Sequence, residues 1–324
     1  MRVPPAVAAV IPSWNTLDFL PACLESLKGE SIDPELLVVD NGSTDGSADY
    51  LEREGVPHVS LPQNIGFAAA VNLGVARTTA PVVLALNADT VLEPGCVPTM
   101  LDALGEDPGL GGVQPRLLQL DEDGNAARSP DAARLYSAGQ ALTKDGRAFE
   151  LGMGEEQGPS SAEGREIFGV CGAACLLRRE LFEQLGGYDE SYFAFYEDVD
   201  LNVRARIAGW RFAYVPEAVV WHVGSAAWSE GFSRPAADNA RLVARNRLST
   251  QVKFMPVSAV PRIAVVETGS LLRAATRGRL LATLSGKLAA LRRLPHLLGD
   301  RRRLRRTGDS SLARRWLGRR VEQP

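Results

Sequence analysis

The chain has 324 residues, 45% of them hydrophobic and 23% charged, which gives room for a large α/β core with appendages and excludes wholesale disorder. A net charge of -3 hides an asymmetry, because sixteen Arg and Lys face four Asp and Glu from Arg262 onward, so a basic tail follows an acidic body. Cys23, Cys96, Cys171 and Cys175 fit no zinc spacing, which points to a reducing compartment; Met1 to Pro5 leads straight into an apolar strand rather than a signal peptide, and no uncharged run reaches the ~18 residues of a spanning helix.

Ala6 to Ile11 reads as a buried strand, followed by Pro12-Ser13-Trp14-Asn15 and a helix from Leu17 to Leu27 with Thr16 as its N-cap. A second strand, Leu36 to Val39, ends in Asp40-Asn41-Gly42-Ser43-Thr44-Asp45-Gly46-Ser47, which holds more carboxylates and hydroxyls than a turn requires. A helix from Ser47 to Glu54 and a short strand, His58 to Leu61, come next. Asn64-Ile65-Gly66-Phe67 then opens an Ala-rich helix running past Asn72 to Gly74. Gly66 permits close backbone approach, and the first free N–H groups of that helix can receive anionic oxygens; tight packing by small residues is the equal alternative. The strand Pro81 to Leu86 ends in Asn87-Ala88-Asp89, where an aspartate can face a nucleotide and its metal, or simply close an Asx turn.

This βαβαβαβ order predicts a mostly parallel sheet with helices on both faces. Its polar strand ends, Ser13-Asn15, Asp40-Asn41 and Asn87-Asp89, should meet at one rim, the usual place for a ligand. There is no Gly-x-Gly-x-x-Gly after the first strand and no P-loop.

Leu110 to Leu120 is another strand. From Asp121 to Gly164 the composition turns polar and Gly-rich, which suits hairpins and a loop over the active face, or a disordered surface insertion. Ile167 to Leu177 carries the small residues around Gly172, and a short helix, Arg179 to Leu185, stops at Gly186-Gly187. Tyr188 to Leu201 then sets five aromatics beside Glu197, Asp198 and Asp200, a composition suited to holding sugar rings. Asp198 stands where a helix to Ala208 starts; dipole capping explains acids there at only ~0.3–1 kcal/mol each and leaves the aromatics unexplained. Asp200 is expected to pair with Arg204. Trp210 to Val215 and Ala218 to Trp221 read as two strands around Pro216-Glu217, closed by His222, a lone histidine whose default role is structural.

A helix from Ala236 to Phe254 carries Arg241, Arg245, Asn246 and Arg247, placed for phosphate or for solvent. Beyond it the tail alternates leucines with basic residues. A basic amphipathic helix suited to an anionic membrane surface is expected, with an oligomer-forming helix as the alternative; nucleic acid is not an expected partner.

Together the motifs Val10 to Asn15, Val38 to Ser47, Asn64 to Phe67 with Asn72 and Gly74, Leu86 to Asp89, and Tyr196-Glu197-Asp198 resemble the family 2 glycosyltransferases over residues 6 to about 255. That resemblance implies a GT-A fold, with residues 1–120 as the nucleotide-sugar half, 121–165 as an insertion, 166–255 as the acceptor and catalytic half, and 256–324 as the helical tail. It implies a metal-dependent inverting hexosyltransferase using a nucleoside diphosphate sugar and Mn²⁺ or Mg²⁺. Pro12, Ser13, Asn15, Asp40, Asn41, Ser43, Asn64, Gly66, Asn72, Asn87 and Ala88 would surround the donor, with Asp40 on the nucleobase. Asp89 would bind the metal with His222, Asn87 replacing the first aspartate of the Asp-x-Asp element. Asp198 would be the base, with Gly172, Tyr196 and Glu197 at the acceptor. The pattern looks most like the rhamnosyltransferase branch, which implies dTDP-rhamnose, a glycan or polyprenyl-linked acceptor, and a place on the inner face of the plasma membrane. A catalytically silent sugar-binding protein and a nucleotidyltransferase are the rival classes; the second lacks its Gly-rich basic loop here.

Overall fold

The computed structural model describes residues 6–120, 130, 133–155, 164–223, 236–308 and 315. The turn expected at Asp123-Gly124-Asn125 and most of the tail beyond Gly308 lie outside them. In chain order the elements are β1 (Val7–Ser13), α1 (Leu20–Lys28), β2 (Glu35–Asp40), α2 (Ser47–Arg53), β3 (His58–Ser60), α3 (Phe67–Ala76), β4 (Val82–Leu86), β5 (Thr90–Leu92), α4 (Cys96–Glu106) and β6 (Leu110–Gln119). There follow β7 (Leu135–Ser137), β8 (Gln140–Leu142), β9 (Ala148–Glu150), β10 (Arg165–Ile167), β11 (Ala174–Arg178), α5 (Arg179–Leu185), α6 (Glu197–Ala208), β12 (Arg211–His222), α7 (Ala236–Phe254), α8 (Val260–Thr276), α9 (Leu280–Arg292) and α10 (Leu294–Thr307).

The central sheet runs β10-β12-β6-β11-β4-β1-β2-β3, with β5 on β12 and β7 on β6. Strands β4, β1, β2 and β3 are parallel, and β11 joins them antiparallel to β4 and β6. Side-chain alternation builds two cores from the same strands. Val7, Ala9 and Ile11 of β1 and Leu84 and Leu86 of β4 face α1 and α4, through Leu20, Leu24, Met100 and Leu104. Val10 of β1 and Val83 and Ala85 of β4 face the other way, onto Val71 and Val75 of α3 and Leu201 and Ala205 of α6. The result is a GT-A-type sandwich, helices on both faces of a mixed central sheet.

Three expectations shift. Helix α1 begins at Leu20, not Leu17: Asn15 has φ 54°, the Thr16 carbonyl accepts from the Phe19 and Leu20 N–H groups, and Thr16 Oγ1 bonds Ser13 Oγ instead of capping. Pro21 sits in the first turn, where its missing N–H loses nothing. The two strands around Pro216-Glu217 are one strand, β12, with a register shift between Val215 and Val219 that admits the proline without breaking the ladder to β6.

The tail is not one helix but three, interrupted at Gly278 (φ 66°) and at Arg293 before Pro295. It folds back on α7. Gly286 of α9 leaves no room for a Cβ against the Arg241 carbonyl, and Glu267 of α8 receives Arg247 of α7 at 2.8 Å and Lys287 of α9. Among the described residues no helix is long and apolar enough to cross a membrane.

Candidate active site

The carboxyl ends of β1, β2 and β4 form one rim. Asn41 N–H donates to the Ser13 carbonyl, Asn15 N–H to Ser43 Oγ, and Thr44 N–H to Asn15 Oδ1, so the loops after β1 and β2 are laced together. Asn41 is buried, and its amide faces inward: Oδ1 accepts from Ile65 N–H, and Nδ2 donates to Asn64 Oδ1 and the Gly66 carbonyl. Asn41 and Asn64 therefore shape the wall of the rim. Pro12 is half-buried in β1 against Val39. Asp40 differs from its neighbours, because the residue is 2% exposed and its Oδ1 is buried with no hydrogen-bond partner. Such an oxygen costs about 1–3 kcal/mol unless a donor reaches it, which suits a base N–H.

Other residues expected at the donor have different neighbours. Asn72 donates to the Tyr188 carbonyl and Glu190 Oε1 and accepts from Tyr188 N–H, fastening α3 to the turn after α5. Ala88 is packed into the core with Leu86 and Leu92. The start of α3 is already occupied. Gly66 has φ 98°, its N–H donates to Asn64 Oδ1, and the Phe193 carbonyl accepts from Ala68 N–H at 3.2 Å. A Cβ on Gly66 would lie 2.7 Å from that carbonyl. The loop that carries Asp198 thus takes up part of the helix N-terminus expected to receive an anion, through the Ala68 N–H.

Past β4, Asn87 N–H donates to the Ala173 carbonyl, and Thr90 Oγ1 closes the turn onto the Asn87 carbonyl at 2.6 Å. Strand β12 brings His222 opposite Thr90 of β5, with His222 Nε2 3.3 Å from Asp89 Oδ1. Tyr136 of β7 holds the ring edge-on, centroids 4.5 Å apart. Burial alone would raise Asp89, but the His222 charge and hydrogen bond bring it below the usual carboxylate range. Asn87 turns its Nδ2 to His222 Nε2 at 3.5 Å, and its Oδ1 is buried without a partner. A carboxylate and an imidazole nitrogen side by side, with an unsatisfied amide oxygen on the neighbouring turn, suit a divalent cation that takes its remaining ligands from elsewhere. Among the described residues no group of three His, Cys, Asp or Glu gathers to hold a metal alone.

Asp198 opens α6, and its surroundings were not legible in advance. Oδ2 accepts from Gly172 N–H at 3.0 Å and from Gln140 Nε2 at 2.7 Å, and Oδ1 accepts from Val199 N–H at 2.7 Å. Glu197 is less well served: it is 7% exposed, its Oε2 is unpartnered, and its own backbone N–H is the donor that lowers it. Desolvation pushes both carboxyls up, Glu197 well above its usual range with help from the Asp198 charge, while the three donors hold Asp198 back. Of the two, Glu197 is pushed further toward its neutral form, and Asp198 is the better held as an anion.

The approach to Asp198 is backbone-strained. Phe193, Phe195 and Tyr196 have φ of 66°, 68° and 70°. Asn246 of α7, fully buried, donates to the carbonyls of Tyr192, Ala194 and Phe195 at 2.7–2.8 Å and fixes this loop. Asp200, as expected, takes Arg204 at 2.6 Å, and it also takes Lys253 at 2.6 Å.

A family model, glycosyl transferase family 2, matches residues 8–186, more than half of the chain. The chain belongs to glycosyltransferase family 2. Among curated relatives of this family 2 glycosyltransferase, an N-acetylglucosaminyl-diphospho-decaprenol L-rhamnosyltransferase of Mycobacterium tuberculosis is 32% identical over 212 residues, 58% of this chain and 66% of the relative. An O-antigen chain rhamnosyltransferase of Salmonella typhimurium is 27% identical over 240 residues, 70% of this chain and 69% of the relative. In architecture the chain is similar to a mannosyltransferase from Pyrobaculum calidifontis solved with GDP-Man and Mn²⁺, at TM-score 0.52 and 17% identity, covering 96% of this chain and 85% of the other.

Proposed function

We propose that this enzyme is an inverting, metal-dependent glycosyltransferase that moves a sugar, rhamnose from dTDP-rhamnose being the leading candidate, onto a hydroxyl of a lipid-linked glycan. The observation that carries the reading is the seating of Asp198 at the start of α6, where its two oxygens receive three donors while burial and the Asp198 charge push the adjacent Glu197 carboxyl well above its usual range. Asp198 takes the proton of the acceptor hydroxyl as that oxygen attacks the anomeric carbon, and the bond from that carbon to the diphosphate breaks on the opposite face. Glu197, pushed toward its neutral form by burial and the Asp198 charge, is suited to donate to an acceptor oxygen. Asp40 binds the nucleobase. Asp89 and His222, with Asn87 Oδ1, would hold Mn²⁺ or Mg²⁺, which offsets negative charge on the departing diphosphate.

Two features support an acceptor carried on a lipid diphosphate. Arg245 and Arg293 bond the adjacent carbonyls of Tyr192 and Ser191, and burial together with the Arg293 and Arg241 charges pushes Arg245 down to about 10. Crowded guanidiniums of this kind are relieved by a phosphate. On α9, Leu281, Leu284, Leu288 and Leu291 share one helical face and are 42–81% exposed, while Thr283, Gly286, Lys287 and Ala290 on the other side are buried. With exposed Arg273, Arg277 and Arg292 around it, this stripe fits an anionic membrane surface.

Asp198→Asn should abolish turnover of dTDP-rhamnose with a polyprenyl diphosphate acceptor and leave donor affinity within about threefold, whereas Asp89→Ala should remove the Mn²⁺ dependence of donor binding. Wild-type turnover by Asp198→Asn rejects the reading. Because the tail packs on α7, the membrane arm is tested by Leu281→Glu with Leu288→Glu in the full chain rather than by truncation. The doubly substituted chain should lose flotation with phosphatidylglycerol vesicles, and unchanged flotation removes the surface assignment.

A further inference from the structure

The β8–β9 hairpin brings a second carboxylate to Asp198, and following the hydrogens through the surrounding amides fixes its state. Asn202 of α6 is oriented by one backbone unit, since its Oδ1 accepts from Val170 N–H and its Nδ2 donates to the Val170 carbonyl. Its other amide hydrogen goes to Gln140 Oε1 at 2.8 Å. The Gln140 Nε2 group therefore points the opposite way, with one hydrogen on Asp198 Oδ2 at 2.7 Å and the other on Glu150 Oε1 at 3.0 Å.

A second chain of bonds arrives from the other side. Gln114 Oε1 accepts from Cys171 N–H, so its Nε2 donates to Ser137 Oγ at 2.8 Å, and Gly139 N–H donates to the same oxygen at 3.1 Å. With both lone pairs engaged, the Ser137 hydroxyl hydrogen goes to Glu150 Oε2 at 2.5 Å, the nearer of its two acceptors, the Gly139 carbonyl standing at 3.3 Å. Glu150 thus accepts on both oxygens, which is the arrangement of an ionised carboxylate. Asp198 from α6, Cys171 from the segment before β11 and Tyr136 from β7 are the titratable groups around it. Burial and the Asp198 charge push Glu150 up to about 7, so its ionisation falls inside the working range.

We propose that Glu150 is a positioning residue of the transfer reaction: its carboxylate and that of Asp198 grip the two hydrogens of one Gln140 amide, which locks the Asp198 side chain and strengthens it as a base. The proposal rests on Asp198 being that base. A neutral Glu150 has only one acceptor oxygen free of its own proton, so either the Ser137 hydroxyl turns to the Gly139 carbonyl or Gln140 loses its partner, and the grip loosens. Its charge also sits close enough to Asp198 to favour proton uptake there.

The test uses the full chain with Glu150→Gln, alone and combined with Asp198→Asn. Glu150 is raised above its unfolded value, so the stability it contributes is present below about pH 4.5 and lost as pH rises through about 7. The melting temperature of Glu150→Gln should therefore climb relative to wild type over that window, and in the Asp198→Asn background the climb should move to lower pH. With dTDP-rhamnose and a polyprenyl diphosphate-linked N-acetylglucosamine, Glu150→Gln should lower kcat at least tenfold, leave both KM values within threefold, and lack the fall in kcat below about pH 7 expected of wild type. A melting difference that is flat with pH, or unmoved by Asp198→Asn, overturns the proposal whether or not that substrate pair is turned over. An inactive Asp198→Asn beside a Glu150→Gln with wild-type kcat and pH profile also overturns it while leaving the assigned base standing; an active Asp198→Asn overturns both.

Discussion

Asn246 lies on α7, outside every motif that marks the nucleotide half, yet it should be among the residues on which turnover depends most. Its amide has two hydrogens for three carbonyls, those of Tyr192, Ala194 and Phe195, and Arg245 Nε donating to its Oδ1 at 2.8 Å decides which end faces the loop. Asn246→Ala removes these bonds, each worth a net ~0.5–1.5 kcal/mol, and leaves buried carbonyls without donors. The loop it releases holds three non-glycine residues at positive φ, a conformation that costs ~1 kcal/mol or more each and relaxes once the restraint is gone. Weakening by ~2–3 kcal/mol lowers the population with Asp198 in place by up to roughly 30–160-fold. In steady-state assays the variant should lose about that factor in kcat, keep its donor affinity within about threefold as measured by calorimetry, and melt roughly 4–8 °C lower. A variant with kcat within threefold of wild type would show that the loop is held by its other contacts and that the strain argument is wrong.

Two further substitutions bear on the same loop. Glu197→Gln copies the neutral side chain and should keep kcat within about fivefold near pH 7, whereas Glu197→Asp should be slower because the shorter chain withdraws the proton-bearing group; equal loss in both would mean that Glu197 works as an anion. Gly66→Ala combines φ 98° with a clash on the Phe193 carbonyl, so donor affinity and kcat should fall together, by at least tenfold each, and a loss confined to donor affinity would uncouple the two halves of the site.

The parallel half of the sheet was legible because local signals agree there: apolar runs of strand length, each ending abruptly in polar residues at Ser13, Asp40 and Asn87. Asp200 with Arg204 followed from helical spacing alone. Gln140 and Glu150 did not stand out, since each is one polar residue in a Gly-rich insertion, and only the hairpin around Lys144-Asp145-Gly146 carries them to Asp198. Asn72 misled for a related reason. Its place beside the Gly66 turn suggests ligand contact, but partners 116 and 118 residues away claim its amide. In the tail, alternation of leucine and arginine signals an amphipathic helix without saying which leucines face α7, and Glu267, the acid that anchors it, is a single residue in a basic background.

Two adjacent residues in the segment before β11 tie together the two proposed stations of the site. The Gly172 N–H donates to the side chain proposed to remove the proton, and the Ala173 carbonyl accepts from Asn87 in the turn proposed to face the leaving group. Their Cα atoms stand about 3.8 Å apart across one peptide, so both stations are anchored to a single short stretch of backbone. Sugar preference would then change through the hairpin and the aromatic loop without disturbing that shared anchor.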